Sequence, residues 1–280
     1  MIFPKRLQTT AAVAAHYDEL DSFYREIWGE HIHHGYWATG RETAEQAVLA
    51  LVELLADRLR CEPGHRLCDI GCGYGATARM LAGRHAVDVT GVTISPVQAK
   101  QARSVANEHV RIVQQDWLTN GFAADCFDRI YAIESSEHMP DKQRFFNEAF
   151  RTLKPGGVFV VCAWLAGDHP NRLQVRHLLE PICREGRLPS MGNRADYQHL
   201  AEAAGFRLIQ TEDISDRVAR TWWICIRRGL AALIADRRYW RFLLDRTATE
   251  RIFAVTMLRI MIAYRIRSMR YCLMVFCRDA

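Results

Sequence analysis

The sequence predicts one α/β domain whose core is a mostly parallel sheet of seven strands. Short apolar runs rich in β-branched residues alternate with helical stretches, as in a parallel sheet with crossover helices. One run, Val158–Ala163, is apolar on both faces, which is typical of a buried central strand. A glycine-rich turn follows the first run and precedes a helix. A length of 280 residues is sufficient for one such domain with insertions.

Each strand is assigned from its apolar, β-branched run and each helix from a one-sided apolar face. The strands are predicted at Arg66–Ile70, Asp88–Thr93, Val110–Gln114, Phe127–Ile133, Val158–Ala163, Phe206–Thr211 and Arg270–Phe276. The helices are predicted at Val48–Leu59, Ala76–Gly83, Pro96–Ala106 and Asp141–Leu153, and the KPGG segment at residues 154–157 breaks the last of them. The chain therefore divides into an N-terminal helical lid (1–40), a core (41–214), a helical insertion (215–266) and a final core strand (267–280).

Composition and charge exclude several kinds of partner. The net charge of +5 comes largely from arginines of the C-terminal third, and without a reading motif no nucleic-acid partner is expected. The nine cysteines lack a metal-ligand spacing, so no metal is expected. Their odd number and the lack of a signal peptide indicate a reducing, cytoplasmic location. The apolar segment Ile252–Tyr264 contains Arg259 and is too short to span a bilayer. Weak contact with a membrane surface and the choice between monomer and homodimer stay open.

The turn DIGCGYG at residues 69–75 indicates a bound nucleotide, because glycines between a strand and a helix let the backbone approach a ligand. The glycine spacing differs from the G-x-G-x-x-G of dinucleotide enzymes, and no phosphate-binding lysine follows. Asp69 would repel a pyrophosphate but suits the ammonium group of a methionine moiety. The loop therefore favours S-adenosylmethionine (SAM) over NAD.

The motifs resemble those of class I SAM-dependent methyltransferases. DIGCGYG is similar to the first motif of that class, and KPGG before an apolar strand is similar to its late motif. WGEHIHHGYW at residues 28–37 and ESSEHMPDK at residues 134–142 resemble the tocopherol methyltransferase-like group, and Ala163-Trp164 and the ending from Tyr264 to Asp279 match it too. The resemblance runs from Tyr17 to Cys277 and implies a Rossmann-like fold, SAM as the cofactor and a small-molecule acceptor.

The resemblance also implies which residues hold the cofactor. Thr93 stands where many class I enzymes have an acidic residue, and Thr93 and Gln98 are expected to hydrogen-bond the ribose while Ile94 packs on the adenine. Asp116 is expected to accept from the adenine amino group, with Trp117 packed on the ring. The other expected cofactor contacts are Asp69, Gly71, Cys72, Gly73, Glu134, Tyr17 and His34. Plainer roles stay open, with Thr93 as a strand residue and Asp116 as the cap of a turn.

Two residues after strand four are candidate catalytic residues, because methyl transfer to a phenol or carbon acid requires a positioned acceptor and removal of a proton. His138 titrates nearest to neutrality, and the resemblance implies that it faces the acceptor. A desolvated Glu134 would instead serve C-methylation or bind an amine. The plainer alternative places His138 in solvent at the start of a helix.

Two clusters allow both a structural and a functional interpretation. The histidines of the strip at residues 31–34 lack the closed ligand set of a metal site, and the resemblance implies that the strip covers the methionine end of SAM. The insertion's aromatic residues either fill a core or form a wall over the acceptor. They are Trp222, Trp223, Tyr239, Trp240 and Phe242. The arginines between them suit a diphosphate or a membrane surface.

The leading hypothesis is O- or C-methylation of a small hydrophobic or aromatic natural product. The alternatives are C-methylation of a prenyl diphosphate, sterol or other terpenoid, and N-methylation of an alkaloid-like amine. A non-catalytic SAM-binding module belongs to a different class, and the intact segment at residues 134–142 argues against it. The glycine spacing and Thr93 disfavour an NAD-dependent oxidoreductase.

Overall fold

A computed structural model describes residues 1–21, 24–236 and 253–280, and their centre is a seven-stranded sheet. The strands are β1 (Arg66–Ile70), β2 (Asp88–Thr93), β3 (Val110–Gln114), β4 (Phe127–Ile133), β5 (Leu153–Ala166), β6 (Arg207–Asp213) and β7 (Met269–Cys277). Their order across the sheet is β3-β2-β1-β4-β5-β7-β6. Strands β1 to β5 pair in parallel, and β7 lies antiparallel between β5 and β6. The predicted α/β class with a mostly parallel, Rossmann-like sheet is confirmed.

Helices cover both faces of the sheet. They are α1 (Thr10–Glu19), α2 (Ala44–Leu59), α3 (Ala76–His85), α4 (Pro96–Ser104), α5 (Lys142–Thr152), α6 (Arg172–Gln174), α7 (Glu180–Glu185), α8 (Arg194–Ala203), α9 (Ser215–Val218), α10 (Arg220–Ala235) and α11 (Phe253–Arg265). A π-helical turn, Val175–Leu179, joins α6 to α7, and another, Tyr24–Trp28, follows α1. None of the helices within the described ranges is long and apolar enough to cross a membrane.

Alternate residues of the strands feed two apolar clusters, one on each face of the sheet. On β5, Val160 belongs to the cluster packed against α2, whereas Phe159 belongs to the cluster packed against α5. Leu55 of α2 and Phe145 of α5 are fully buried in these clusters. Each such side chain contributes about 1.5–3 kcal/mol through removal of apolar surface from water. The buried parallel sheet is therefore a rigid platform for the loops at its edge.

Local sequence signals fix where the helices next to the site begin. Thr43 and Gln46 form a capping box at the start of α2. Ser95 caps α4 through the backbone N–H of Gln98, and Asp141 caps α5. Each cap satisfies a backbone donor that the first helical turn leaves without a partner. These caps place α4 and α5 directly after the loops that end β2 and β4.

The structure differs from the sequence prediction in two places. The KPGG segment lies inside β5, where the pairing with β4 skips from Leu153 to Val158, so it forms a bulge and does not precede the strand. The helices of residues 172–203 were not predicted. The π-helical turn shifts their apolar residues out of the regular period, and Pro181 indicates a break.

The insertion is described only in part. Its helices α9, α10 and α11 are present, whereas Tyr239, Trp240 and Phe242 lie outside the described residues. The division of the chain into lid, core, insertion and final strand stays a prediction.

The order of the strands reverses between β1 and β4. Ligands of open α/β sheets bind in the crevice at such a switch point, outside the carboxyl ends of the strands. The glycine loop follows β1 there, and Glu134 follows β4 with a φ of 52°. A non-glycine residue in this left-handed conformation costs about 1–3 kcal/mol, so the surrounding contacts must hold Glu134 in place.

The packing of the glycine loop against β2 leads to a first prediction. A Cβ atom at Gly91 would lie 2.8 Å from Cys72 Sγ and 3.0 Å from Ile112 Cδ1, so Gly91→Ala is expected to lower the free energy of unfolding by about 1–3 kcal/mol. Gly83→Ala is the control, since Gly83 is exposed in α3 with nothing within 4 Å of an added Cβ. This control is expected to stabilise by about 0.5–1 kcal/mol. Urea denaturation measures both, and an unchanged Gly91→Ala would contradict the packing.

Candidate active site

Three cavities adjoin at the switch point of the described sheet. The main cavity, about 730 Å³ of empty space, lies between α1 and the ends of β2, β3 and β4. The loop cavity, about 360 Å³, lies between the strip at residues 30–33 and the glycine loop. The aromatic cavity, about 450 Å³, is lined by Tyr17, Trp28, Trp164 and Trp222. The main cavity shares Gly71, Gly73, Ile32 and Ile133 with the loop cavity, and Tyr17, Ile32, Glu134 and His138 with the aromatic cavity.

The glycine loop turns tightly because its first residues bond back to β2. The backbone N–H groups of Gly71 and Cys72 both donate to the Val92 carbonyl, at 2.8 and 2.9 Å. A Cβ atom on Gly71, whose φ is +82°, would lie 2.3 Å from the Ser135 Cβ atom. Gly73 differs, because nothing lies within 4 Å of an added Cβ and the residue lines both the main and the loop cavity. Gly71 therefore allows the fold of the loop, and Gly73 keeps the cleft open.

Asp69 is a buried carboxyl at the loop cavity. It is 3% exposed, and its Oδ2 atom has no hydrogen-bond partner among the described residues. Burial raises the pKa of Asp69 to about 7, and the Tyr131 hydroxyl on the paired strand opposes that rise. A buried carboxylate oxygen without a donor fits a ligand that brings a cation or an N–H group.

Thr93 and Gln98, the pair predicted to bind the ribose, line the main cavity and are hydrogen-bonded to each other. The Thr93 hydroxyl donates to Gln98 Oε1 at 2.9 Å, and both side chains are buried. This bond leaves the amide N–H groups of Gln98 as donors toward the cavity that it lines, next to Ile94. The structure thus brings together Thr93, Gln98 and Ile94 at one wall.

Asp116 and Trp117 lie at the same cavity, and both also have structural roles. Asp116 caps a 3₁₀ turn by accepting from the backbone N–H of Leu118 at 2.9 Å. The Trp117 indole N–H donates to the Phe145 carbonyl at 3.2 Å, and the ring is 1% exposed. Asp116 therefore both caps the turn and lines the main cavity.

Glu134 is held by donors from two distant segments. Its Oε1 accepts the backbone N–H of His34 at 2.7 Å and the Tyr271 hydroxyl at 2.8 Å, and its Oε2 pairs with His34 Nδ1 at 2.9 Å. Burial raises the pKa of Glu134, but the electrostatic interaction and hydrogen bonds with His34 outweigh it and hold the pKa below its usual value. Glu134 is therefore an ionised carboxylate that fastens the lid to the core.

His34, which the resemblance implies as a cofactor contact, is fully buried behind Glu134 and is absent from the lining of all three cavities. The Trp222 indole N–H donates to His34 Nε2 at 2.7 Å. Since an indole is a donor only, Nε2 must accept and Nδ1 carries the proton that faces Glu134. His34 therefore positions Glu134 and does not reach the cleft.

Tyr17 and His138 meet where the main and aromatic cavities join. The Tyr17 hydroxyl lies 3.0 Å from His138 Nε2, and their rings pack edge to face. Burial lowers the pKa of His138 to about 3, helped by nearby His16, while the negative charge of Glu134 opposes the shift. A neutral His138 accepts a hydrogen bond at Nε2. The alternative of a solvated histidine does not match the structure, in which the ring lies inside the cleft.

The strip over the loop cavity contains a histidine pair. His33 Nε2 lies 3.2 Å from His31 Nδ1, and Thr77 at the start of α3 lies beside both. Burial and the neighbouring His33 lower the pKa of His31 to about 3. In the neutral pair both N–H groups are used within the protein, because His33 Nδ1 donates to the His34 carbonyl and His31 Nδ1 donates to His33 Nε2. His31 Nε2 is therefore left as a hydrogen-bond acceptor.

Two residues of the site were missed by sequence reasoning. Tyr271 bonds to Glu134 from β7, and nothing in the chain connects positions that are 137 residues apart. Glu137 is 1% exposed, and its Oε1 accepts the backbone N–H of Trp164 at 2.7 Å. Burial and the charge of Glu134 raise the pKa of Glu137 to about 8. Its place in the ESSEHMPDK segment was the only available signal.

Known proteins resemble this chain over most of its length. The chain is 30% identical over 240 residues to the chloroplastic tocopherol O-methyltransferase of Arabidopsis thaliana, and the aligned region covers 78% of this chain and 69% of that protein. It is 31% identical over 256 residues to 24-methylenesterol C-methyltransferase 2 of Oryza sativa subsp. japonica, covering 85% and 68%. The crystal structure of the [4+2]-cyclase SpnF matches with a TM-score of 0.84 at 25% identity and covers all of both chains.

The fold, the site and the two sequence relatives define a SAM-dependent methyltransferase that acts on small molecules. The chain belongs to the family described as mycolic acid cyclopropane synthetase, whose model matches residues 5–237. The residues present fit SAM. The unpartnered Asp69 oxygen suits the ammonium group, and the Gln98 amide suits a diol.

Asp69 leads to a prediction for the pH dependence of cofactor binding. Only the ionised carboxylate attracts an ammonium group, and a pKa of about 7 means that its ionised fraction rises from about a tenth at pH 6 to about nine tenths at pH 8. Calorimetry is therefore expected to show about tenfold tighter SAM binding at the higher pH. Asp69→Asn should bind weakly with a flat profile, and the exposed Asp168→Asn should keep the wild-type profile. A flat wild-type profile would refute the assignment.

The Glu134 contacts lead to a prediction for the lid. Glu134→Gln keeps the shape of the side chain but places an amide N–H₂ group where the carboxylate accepts hydrogen bonds from His34 and Tyr271. The free energy of unfolding should therefore fall by about 1.5–3 kcal/mol. Hydrogen exchange at residues 29–37 should accelerate. Glu30→Gln, on an exposed pair with Arg79 in the same strip, is the control and should change little. Equal exchange in both variants would show that Glu134 does not hold the lid.

Proposed function

We propose that the main cavity binds the adenosine part of SAM, the loop cavity its amino-acid part, and the aromatic cavity a hydrophobic or aromatic acceptor. The observation that carries the proposal is the junction of the main and aromatic cavities at Tyr17, Ile32, Glu134 and His138. An acceptor in the aromatic cavity would meet the cofactor there. Large aromatic walls bury apolar surface and exclude water from the junction.

Bound SAM supplies an electrophilic methyl group, and the protein's own residues position the acceptor and handle its proton. For a hydroxyl acceptor, the oxygen becomes positively charged as the methyl group bonds to it, so its proton is acidic enough to reach a base whose pKa is about 3. The Tyr17 oxygen takes that proton while Tyr17 passes its own proton to His138 Nε2, 3.0 Å away. The charge of Glu134 favours the imidazolium that results. Glu134 itself accepts three hydrogen bonds and stays ionised, so its role in this proposal is electrostatic.

C-methylation of an uncharged terpenoid or sterol is the second candidate. The aromatic rings and the Glu134 carboxylate suit a cationic intermediate, because ring faces and a carboxylate both attract positive charge. A diphosphate fits less well, since no lysine or arginine is among the described residues that line the aromatic cavity.

We also propose that the enzyme works in a reducing compartment such as the cytoplasm, because its nine cysteines are free.

A transfer assay with labelled SAM tests the proposal against a prenylated hydroquinone, a sterol and an aliphatic amine. We expect label in the hydroquinone, and we expect Gly73→Arg to abolish SAM binding because its side chain would fill the cleft. Tyr17→Phe and His138→Ala should each lower kcat for a hydroxyl acceptor by about 10²-fold or more. His109→Ala, an exposed histidine, should have no effect.

Label in the sterol alone would favour the second candidate. Full hydroquinone methylation by His138→Ala would rule out the proton relay. Absence of label from every acceptor, with SAM bound, would refute the proposed acceptor class.

A further inference from the structure

Trp164 carries a buried donor that the protein leaves without an acceptor. The residue lies near the end of β5, is 7% exposed and lines the aromatic cavity. Its indole Nε1 atom is inaccessible and has no hydrogen-bond acceptor among the described residues. An unsatisfied buried donor destabilises the folded protein and is rare. An acceptor atom of a ligand in the aromatic cavity would remove this penalty.

The ring is held in place by its surroundings. The Trp164 backbone N–H donates to Glu137 Oε1 at 2.7 Å, and the backbone pairs with Tyr271 across β7. The ring lies 6.3 Å from the Trp222 ring, centroid to centroid, and its Cη2 atom would lie 3.8 Å from a Cβ atom added to Gly186. These contacts fix the indole at the cavity wall with its donor uncompensated.

The other two tryptophans and the carboxylate that line the same cavity use their polar groups within the protein. The Trp28 indole donates to the His33 carbonyl at 3.3 Å, and the Trp222 indole donates to His34 Nε2. Glu134 accepts three hydrogen bonds. Trp164 differs from the other two tryptophans of the wall in this respect.

We propose that Trp164 determines acceptor specificity by donating its indole N–H to an oxygen atom of the methyl acceptor. This inference rests on the proposed function, in which the aromatic cavity holds the acceptor. The acceptor class is then an apolar ring or chain that carries a hydroxyl, carbonyl or ether oxygen. A hydrocarbon would leave the donor unpaired, and an ammonium group would present a second donor to it, so both are disfavoured.

Nuclear magnetic resonance of protein labelled with ¹⁵N-tryptophan tests the inference, with the Trp164 indole signal assigned by its loss in Trp164→Phe. The probes are tert-butylhydroquinone and tert-butylbenzene, which differ in the two hydroxyl groups. We expect the hydroquinone to move the Trp164 indole proton downfield, and the hydrocarbon to leave it near its original position. Equal shifts with both probes, or none with either, would overturn the proposal.

Calorimetry with the same probes separates the donor from the ring. Trp164→Phe keeps an apolar ring, so its affinity for the hydroquinone should fall about tenfold while its affinity for tert-butylbenzene is retained. Trp28→Phe is the matched control, because its indole N–H is used within the protein, and it should weaken both probes alike. An equal loss for both probes in Trp164→Phe would reduce Trp164 to a packing residue and overturn the proposal.

The two proposals can fail separately. If the hydroquinone moves the Trp164 resonance but no acceptor is ever methylated, the proposed function is wrong and the oxygen-binding site remains. If methyl transfer occurs and Trp164→Phe does not discriminate between the probes, the role of Trp164 is wrong and the proposed function remains.

Discussion

The buried Glu134 carboxylate is the interaction on which the site depends. It joins His34 of the N-terminal strip to Tyr271 of β7, and through His34 it reaches Trp222 of α10. A hydrogen bond to a buried charged group contributes about 1.5–3 kcal/mol, so these distant segments are coupled. Because Trp222 and Glu134 also line the aromatic cavity, the same contacts shape its wall.

The same carboxylate sets the charges around the cleft. The pKa of Glu134 lies below its usual value, whereas burial and the charge of Glu134 raise the pKa of Glu137 to about 8. Near neutrality one carboxyl is thus ionised and its neighbour is protonated, a separation that avoids two buried negative charges. The cleft that would receive a sulfonium cation is therefore negative, although the chain has a net charge of +5.

The strands of the core were predicted from the sequence more completely than the contacts of the site. The first four strands were predicted with the bounds that the structure shows, because parallel strands are continuous apolar runs ended by polar turns. The cavity residues at or just after the ends of those strands, such as Thr93 and Asp116, were assigned from the family resemblance. The contacts of Glu134 could not be predicted, since His34 and Tyr271 lie 100 and 137 residues away and the pairing depends on how the lid folds back. Trp164 was noted only as part of a resemblance, since a lone tryptophan gives no sign of whether its N–H is satisfied.

The main and aromatic cavities are built from different parts of the fold. The main cavity is formed largely by the ends of β2 to β4, which the sheet holds rigidly. The aromatic cavity is formed by the N-terminal segment, the end of β5, α10 and the segment that follows β4. On the cavity assignment proposed above, a substitution in the wall of the aromatic cavity changes the contacts of the acceptor and leaves the main cavity unaltered, provided that Glu134 keeps its hydrogen bonds.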